Sequence, residues 1–252
     1  MDYFKYFPYT QYVFGNEAEE IGTGKVVTEL VQDISAYVDV IDDVKKSSAF
    51  SAKYYIQEND RPDNVSMKLY GSPSYHWTFF LMNDHLRQQG WPLSNRLIAK
   101  QLKRDFPHEV AISRDDLTSI FRPGQIVVGS TSGARGEILR RRLDLGCIHI
   151  KPVGNRSFSS AEVITSKTVA ASVTEAVFVN FRKEYLSPHH YEYNGERVDI
   201  DPTDVNAPPA FYQEVTIEDY YHRQNDRLKE IRVIKPESIR EIASLYRETL
   251  GT

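Results

Sequence analysis

Cysteine is almost absent from this chain. One residue in 252, Cys147, excludes an intrachain disulfide and any zinc cluster built on cysteines. Folding in a reducing compartment fits that usage. Long apolar runs are missing too: the longest, WTFFLM at residues 77–82, falls far short of the roughly 20 residues a helix needs to cross a bilayer. The opening MDYFKYFPYT lacks the basic-then-apolar order of a signal peptide, so export by that route is not expected. Neither sign of charge dominates. A net charge of -4 argues against a general nucleic-acid binder and leaves room only for a local basic patch.

What is there is ordinary globular composition, 40% hydrophobic and 26% charged, with material for one or two domains. Aromatics stand out: Tyr 16 and Phe 12 against Trp 2. Tyrosine suits protein–protein surfaces, because its ring is apolar while its hydroxyl still reaches a partner. The first sixteen residues concentrate this, with Tyr3, Phe4, Tyr6, Phe7, Tyr9, Tyr12 and Phe14 on no helical or strand period and with Pro8 interrupting both. The spacing predicts an extended arm. Such an arm either straps its own domain or docks on a neighbouring subunit, hiding rings that would otherwise face water.

Further along, Val27, Leu30, Val31, Ile34, Val38 and Ile41 recur every three or four residues, which predicts an amphipathic and at least partly helical stretch. KYYIQE then reads as a strand through Tyr54, Tyr55 and Ile56. In RPDNVSMKLYG, Pro62 suits a first helical turn, Val65 and Leu69 share a face, and Gly71 can take a left-handed cap. Ser72 and Pro73 open a second helix whose buried stripe is Trp77, Phe80 and Leu81, ending at Asn83-Asp84. Another helix runs from a Ser94 cap to about Pro107. At Phe121 the period changes to two, and strand-like runs alternate with glycine turns up to the Asn194-Gly195 hairpin signal. Residues 201–211 read as a linker. Thr216 with Asp219 resembles a capping box, and a short strand with Ile231, Val233 and Ile234 precedes a last helix.

Chemistry is harder to find. GTGKVV lacks the first glycine and the hydroxyl of a phosphate loop. Adjacent His189 and His190 would point to opposite faces of a strand, and Cys147 with His149 provides only two ligands. Ser132 in TSGARG has no nucleophile elbow around it and no evident base. In Arg140-Arg141-Arg142, alternation puts Arg140 and Arg142 on one strand face, read as solvent-facing, with a phosphate-backbone contact as the alternative. No catalytic constellation, no metal site and no cofactor are expected.

The set KYYIQE, RPDNVSMKLYG, SPSYHWTFFLMND and EIRVIKP forms a β-α-α-β order that resembles a LysM module. The arm FKYFPYTQYVFG, the block YYIQENDRPDNVSMKLYGSPSYHWTFFLMND with GWPLS after it, and NDRLKEIRVIKPESIREIASLYRETL together resemble the LysM-like baseplate wedge subunit 53 family of contractile-tailed phages. The resemblance covers about residues 1–106 and 212–250. It implies an α+β fold with a split LysM-like β-α-α-β unit and extra helices; the strand-rich run at 117–200 departs from the family and reads as an inserted small all-β domain, barrel- or sandwich-like. The boundaries read along the chain are an arm at 1–16, a helical and LysM-like part at 17–116, the insertion at 117–200, a linker at 201–211 and the closing elements at 212–252. The implied LysM-like core is Tyr55, Ile56, Val65, Leu69, Tyr70, Trp77, Phe80, Leu81, Ile231 and Val233.

The same resemblance implies a structural, non-enzymatic role joining wedge subunits and linking neighbouring wedges. Partners would be other baseplate wedge and tail proteins, in multiple copies around the tail, with no nucleic acid and no membrane. The place would be the virion tail baseplate, and the host cytoplasm during assembly. The alternative is a LysM-type peptidoglycan-binding module. Against it stand the apolar helix at 75–82 and the lack of a second LysM copy to give avidity.

Overall fold

The computed structural model describes residues 9–13, 28–32, 39–167, 174–204 and 212–249. In chain order the first elements are β1 (Tyr9–Val13), β2 (Thr28–Gln32), α1 (Asp39–Lys46), β3 (Ser51–Tyr55), α2 (Pro62–Tyr70), α3 (Trp77–Met82), α4 (Asp84–Gln89) and α5 (Asn95–Asp105). A strand-rich stretch follows: β4 (Glu109–Ile112), β5 (Ile126–Gly129), β6 (Arg135–Arg142), β7 (Cys147–Val153), β8 (Ala161–Lys167) and β9 (Thr174–Lys183). Then come β10 (Pro188–Tyr193), β11 (Glu196–Val198), β12 (Gln213–Thr216), α6 (Ile217–Lys229), β13 (Glu230–Ile234) and α7 (Ile239–Thr249). The chain divides into two compact units, Met1–Ser94 with Asn225–Thr252, and Asn95–Gln224.

The first unit is closed by two strands far apart in sequence. β3 and β13 pair antiparallel, Tyr54 opposite Ile231 and Ala52 opposite Val233. Ile231 and Val233 pack with Ile56, Val65, Phe79, Leu86 and Leu228. Between the strands, α2 begins at Pro62 and ends at Gly71, whose φ of 68° is the left-handed conformation a side chain would resist. Ser66 Oγ donates to the Ser72 carbonyl at 2.6 Å, tying the two arms of the helix hairpin together. The Ser72 side chain accepts from the Ser74 N–H, and a 3-10 turn at Pro73–Tyr75 leads into α3.

α3 has two covered sides rather than one stripe. Trp77, Leu81 and Met82 pack with Ile41 and Val44 of α1, Ile234 of β13, and Ile239, Ile242 and Tyr246 of α7. The Trp77 and Tyr246 rings lie 5.2 Å apart. Phe79 faces the other cluster at full burial, while Phe80 is only partly buried beside Trp91. A six-residue helix wedged between two clusters needs no polar face, which is why WTFFLM is so apolar.

The outer edge of β13 is occupied by side chains. Asn83 donates through Nδ2 to the Arg232 carbonyl at 2.8 Å, and its Oδ1 accepts from the Arg232 N–H at 2.8 Å. The Tyr70 hydroxyl donates to the Ile234 carbonyl at 2.9 Å. Asn83 Nδ2 also reaches the Phe79 carbonyl, so one buried amide fixes the end of α3 to the strand.

Two expectations need correction in this unit. Thr28–Gln32, expected within an amphipathic helical stretch, is a strand paired with β1, Tyr12 opposite Glu29 and Thr10 opposite Val31. Its β-branched residues serve a pleat as well as a helix face, and the partner strand decides. Among the described residues, the helix of that stretch is Asp39–Lys46. Tyr55, expected in the core, is 53% exposed. Its neighbour Tyr54 takes the position opposite Ile231, so the next residue turns to the other face of the pleat.

The second unit is built on a closed barrel of order β4-β7-β6-β5-β8-β9, with β9 pairing back to β4. Val127, Ile138, Ile148, Ile150, Ile164, Val177 and Val179 fill its interior. The barrel starts at β4, upstream of the change of period at Phe121; the four residues EVAI are too few to show alternation in the sequence. The Asn194-Gly195 turn is present, with φ of 51° and 83°, the two positive values a tight hairpin requires. Its strands lie outside the barrel order, in a sheet of order β11-β10-β12. Thr216 and Asp219 form the capping box: Asp219 N–H donates to Thr216 Oγ1 at 3.1 Å, and Thr216 N–H donates back to Asp219 Oδ2 at 3.1 Å. The unit thus takes in α5, β12 and the start of α6, beyond the 117–200 segment expected for the insertion.

Trp77, 1% exposed, sets the first stability test. Trp77→Ala should cost about 3–5 kcal/mol, as truncation of a fully buried aromatic does. Asn83→Ala should cost about 2–4 kcal/mol, because two backbone groups of Arg232 lose their partners. Urea unfolding measures both; a wild-type midpoint in either variant contradicts the packing described.

Candidate interaction surfaces

Of the arm residues, Tyr9 and Tyr12 lie on β1, 62% and 55% exposed, and Leu30 on β2 is exposed as well. Alternation puts Tyr9 and Leu30 on one face of the ribbon and Tyr12 on the other, so both faces present apolar surface. Tyr3, Phe4, Tyr6, Phe7 and Phe14 lie outside the described residues.

The residues expected to form a LysM-like core are distributed over two clusters. Ile56, Val65, Ile231 and Val233 are buried in one, and Trp77 and Leu81 in the other. Tyr70 is packed against both, and Leu69 and Phe80 are partly buried against the first. Phe79 and Trp91 carry the packing beside them and were not singled out from the sequence, while Tyr246 was expected on the apolar face of the last helix and Asn83 only as the end of α3. Phe79 and Trp91 had a signal in their size. Asn83 had none beyond its position after an apolar helix.

The polar side chains of the second unit are engaged in holding loops. The buried Glu162 carboxylate accepts from the N–H groups of Thr131, Ser132 and Ser159 at 3.0, 3.0 and 2.8 Å, and from the Ser132 hydroxyl at 2.8 Å. Burial pushes this carboxyl up, and the backbone N–H groups of Ser132 and Ser159 outweigh it, leaving the group below its ordinary value. Ser132 is therefore part of a turn organised around a carboxylate. Arg141, in the middle of the basic run, donates to the carbonyls of Leu117 and Ile120 at 2.6 Å each. Arg140 pairs with Glu184 at 3.3 Å and Arg142 with Asp144 at 2.8 Å. Arg140 is exposed as expected, and the run is also tied to its own unit by these contacts; β6 shifts register between Ile138 and Arg140.

The histidines also depart from expectation. His189 and His190 do not point apart; their Nδ1 atoms lie 2.8 Å from each other. The cause is a register shift between Pro188 and His190, which breaks the alternation of β10. His189 stacks on Tyr220 of α6 at 4.1 Å, and His190 Nε2 contacts Glu192 Oε1 at 3.0 Å. Arg223 donates to both Glu192 oxygens at 2.8 Å. In the barrel wall, buried His149 contacts Glu184 at 3.0 Å through Nδ1. The Cys147 thiol is pushed up to about 12 by burial, far from a reactive thiolate. Among the described residues, no three His, Cys, Asp or Glu are gathered to hold a metal ion. No helix among them is long and apolar enough to cross a membrane.

Burial, with the neighbouring His190 and Arg142 adding to it, holds His189 below its ordinary value of 6.5. Burial and Arg140 do the same to His149, against the pull of Glu184. A depressed histidine means the unfolded chain binds more protons. Above about pH 6.5 nothing is lost; as pH falls from there to the lowered folded-state values, stability falls. The melting temperature should therefore drop between pH 7.5 and 5.5. His189→Phe, which keeps a ring on Tyr220 but cannot take a proton, should flatten that drop. An equal drop in the variant removes His189 from the cause.

Residues 4–101 match the family model described as base plate wedge protein 53. That span contains the arm, β3, α2, α3 and α4, and stops short of the barrel, β13 and α7. No curated protein matches the chain. Over residues 4–101, this chain is similar to the base plate wedge protein 53 family.

Proposed function

We propose that the chain is a structural component of a contractile-tail baseplate wedge, joining wedge subunits and linking neighbouring wedges without catalysis. The observation that carries this is the family match over residues 4–101, which takes in both the aromatic arm and the helix hairpin. The side-chain chemistry agrees with it. Cys147 is buried, Ser132 is held by Glu162, and burial holds His149 and His189 below the ordinary histidine value. The helix hairpin between β3 and β13 serves in this reading as a LysM-like scaffold. Its most apolar helix is spent on internal packing rather than on a glycan surface. The partners are other wedge and tail proteins in the virion baseplate, met first in the host cytoplasm.

The test is complementation of a phage that lacks this chain. Lysates without it should hold no complete baseplates by electron microscopy, and the full-length chain should restore them. A chain lacking residues 1–8 leaves β1 intact, so it should melt as the full chain does and yet fail to restore baseplates. Normal baseplates in the absence of the chain, with the purified protein retained on insoluble peptidoglycan, would overturn the structural role and favour glycan binding.

A further inference from the structure

The second unit carries a cleft of about 600 Å3, within the size range of sites that take a few ring-sized groups. It is lined by residues of β4 and β9 together with Tyr191 of β10, Ile200, Asp201, Pro202, Asp204 and Tyr212. Phe178 on its wall is 54% exposed on the outer face of β9, opposite Val163 of β8, which is 36% exposed. Ile112 and Pro202 extend this apolar wall. Paired apolar side chains left open on a barrel exterior, beside a cleft, are the kind of surface a partner covers.

The lining is also acidic. Asp115, Asp201, Asp204 and Glu214 stand against Arg114 and Arg182, and Arg182 is already paired with Glu214. An occupant that complements this surface carries aromatic rings and positive charge, and no carboxylate. The chain contains such a segment. In YFKYFP, residues 3–8, four aromatics surround Lys5, which is the single charged residue between Tyr3 and Phe14. Six extended residues span roughly 20 Å, enough to lay two or three rings along a cleft of this size.

We infer that residues 3–8 of one copy of this chain seat in the Phe178 cleft of a second copy. The inference rests on the wedge-assembly role, in which copies meet around a tail. Lys5 faces the acidic lining at Asp201, and the flanking rings cover Phe178. An arm in one place and its cleft in another make a head-to-tail contact, which passes from copy to copy and closes a ring where the rotation allows.

Sedimentation velocity of the full-length protein tests this without a phage. The wild type should self-associate as concentration rises. Lys5→Glu and Phe178→Ser should each weaken association about tenfold or more, as loss of a central anchor does. Asp201→Lys should restore association to the Lys5→Glu chain. Mixing Lys5→Glu with Phe178→Ser leaves one intact cleft and one intact arm, so the mixture should form pairs that do not grow further. Phe178 is solvent-facing, so its variant should melt as wild type; if it does not, the Lys5 and Asp201 variants carry the test. A wild type that stays single at every concentration overturns the inference, as do variants that associate like wild type. A mixture that stays apart overturns it as well and returns the arm to its own chain. None of these outcomes bears on complementation, which reports on the wedge role separately.

Discussion

Everything in the first unit depends on one ladder between strands that are remote in the chain. Lys53 and Glu230, 177 residues apart, are joined across it by an ion pair at 2.6 Å. That exposed pair adds little. The ladder holds because Ile231 and Val233 present one row of branched side chains to α2 and α3, and Ile234 presents another to α1 and α7. Closing so long a loop is entropically tolerable, since the cost grows only with the logarithm of its length. A folded unit of its own occupies the loop, which lowers the cost further by removing freedom the closure would otherwise have to freeze.

Local chemistry was readable from the sequence wherever a turn or cap is decided by neighbours. Gly71, Ser72 with Pro73, Asn194-Gly195 and the Thr216–Asp219 box all do what their residue types predict. Each depends on a residue's own φ preference or on a side chain within three positions. What was not readable depends on partners. Whether 28–32 is strand or helix is decided by β1. Which of Tyr54 and Tyr55 faces inward is decided by the register with β13. The meeting of His189 with His190 follows from a bulge that no alternation rule anticipates. Phe79 was passed over because a single buried stripe was assumed for a helix that has two.

The run of rings at residues 3–14 stands out by composition, which does not say what covers them. The cleft beside Phe178 is invisible in sequence: Ile112, Phe178, Pro202 and Tyr212 come from four separate segments brought together by the barrel and the sheet beside it. A strand residue that alternates outward normally reads as harmless, and Phe178 does so in TEAVFVNF. Only the exposure of its cross-strand neighbour Val163 shows that the outward face is apolar as well.

The amide of Asn83 has a consequence for crowding. A two-stranded sheet offers two open edges, and copies packed at high density invite one another to add a strand there. On β13 the outward-pointing groups of Arg232 and the Ile234 carbonyl are already taken by Asn83 and Tyr70. A stray strand approaching this edge finds no free ladder to extend. The barrel of the second unit, closed by β9 onto β4, refuses strand addition by a different route. At the β13 edge and around the barrel, contact with a neighbour is left to side chains, where selectivity is written, rather than to backbone pairing.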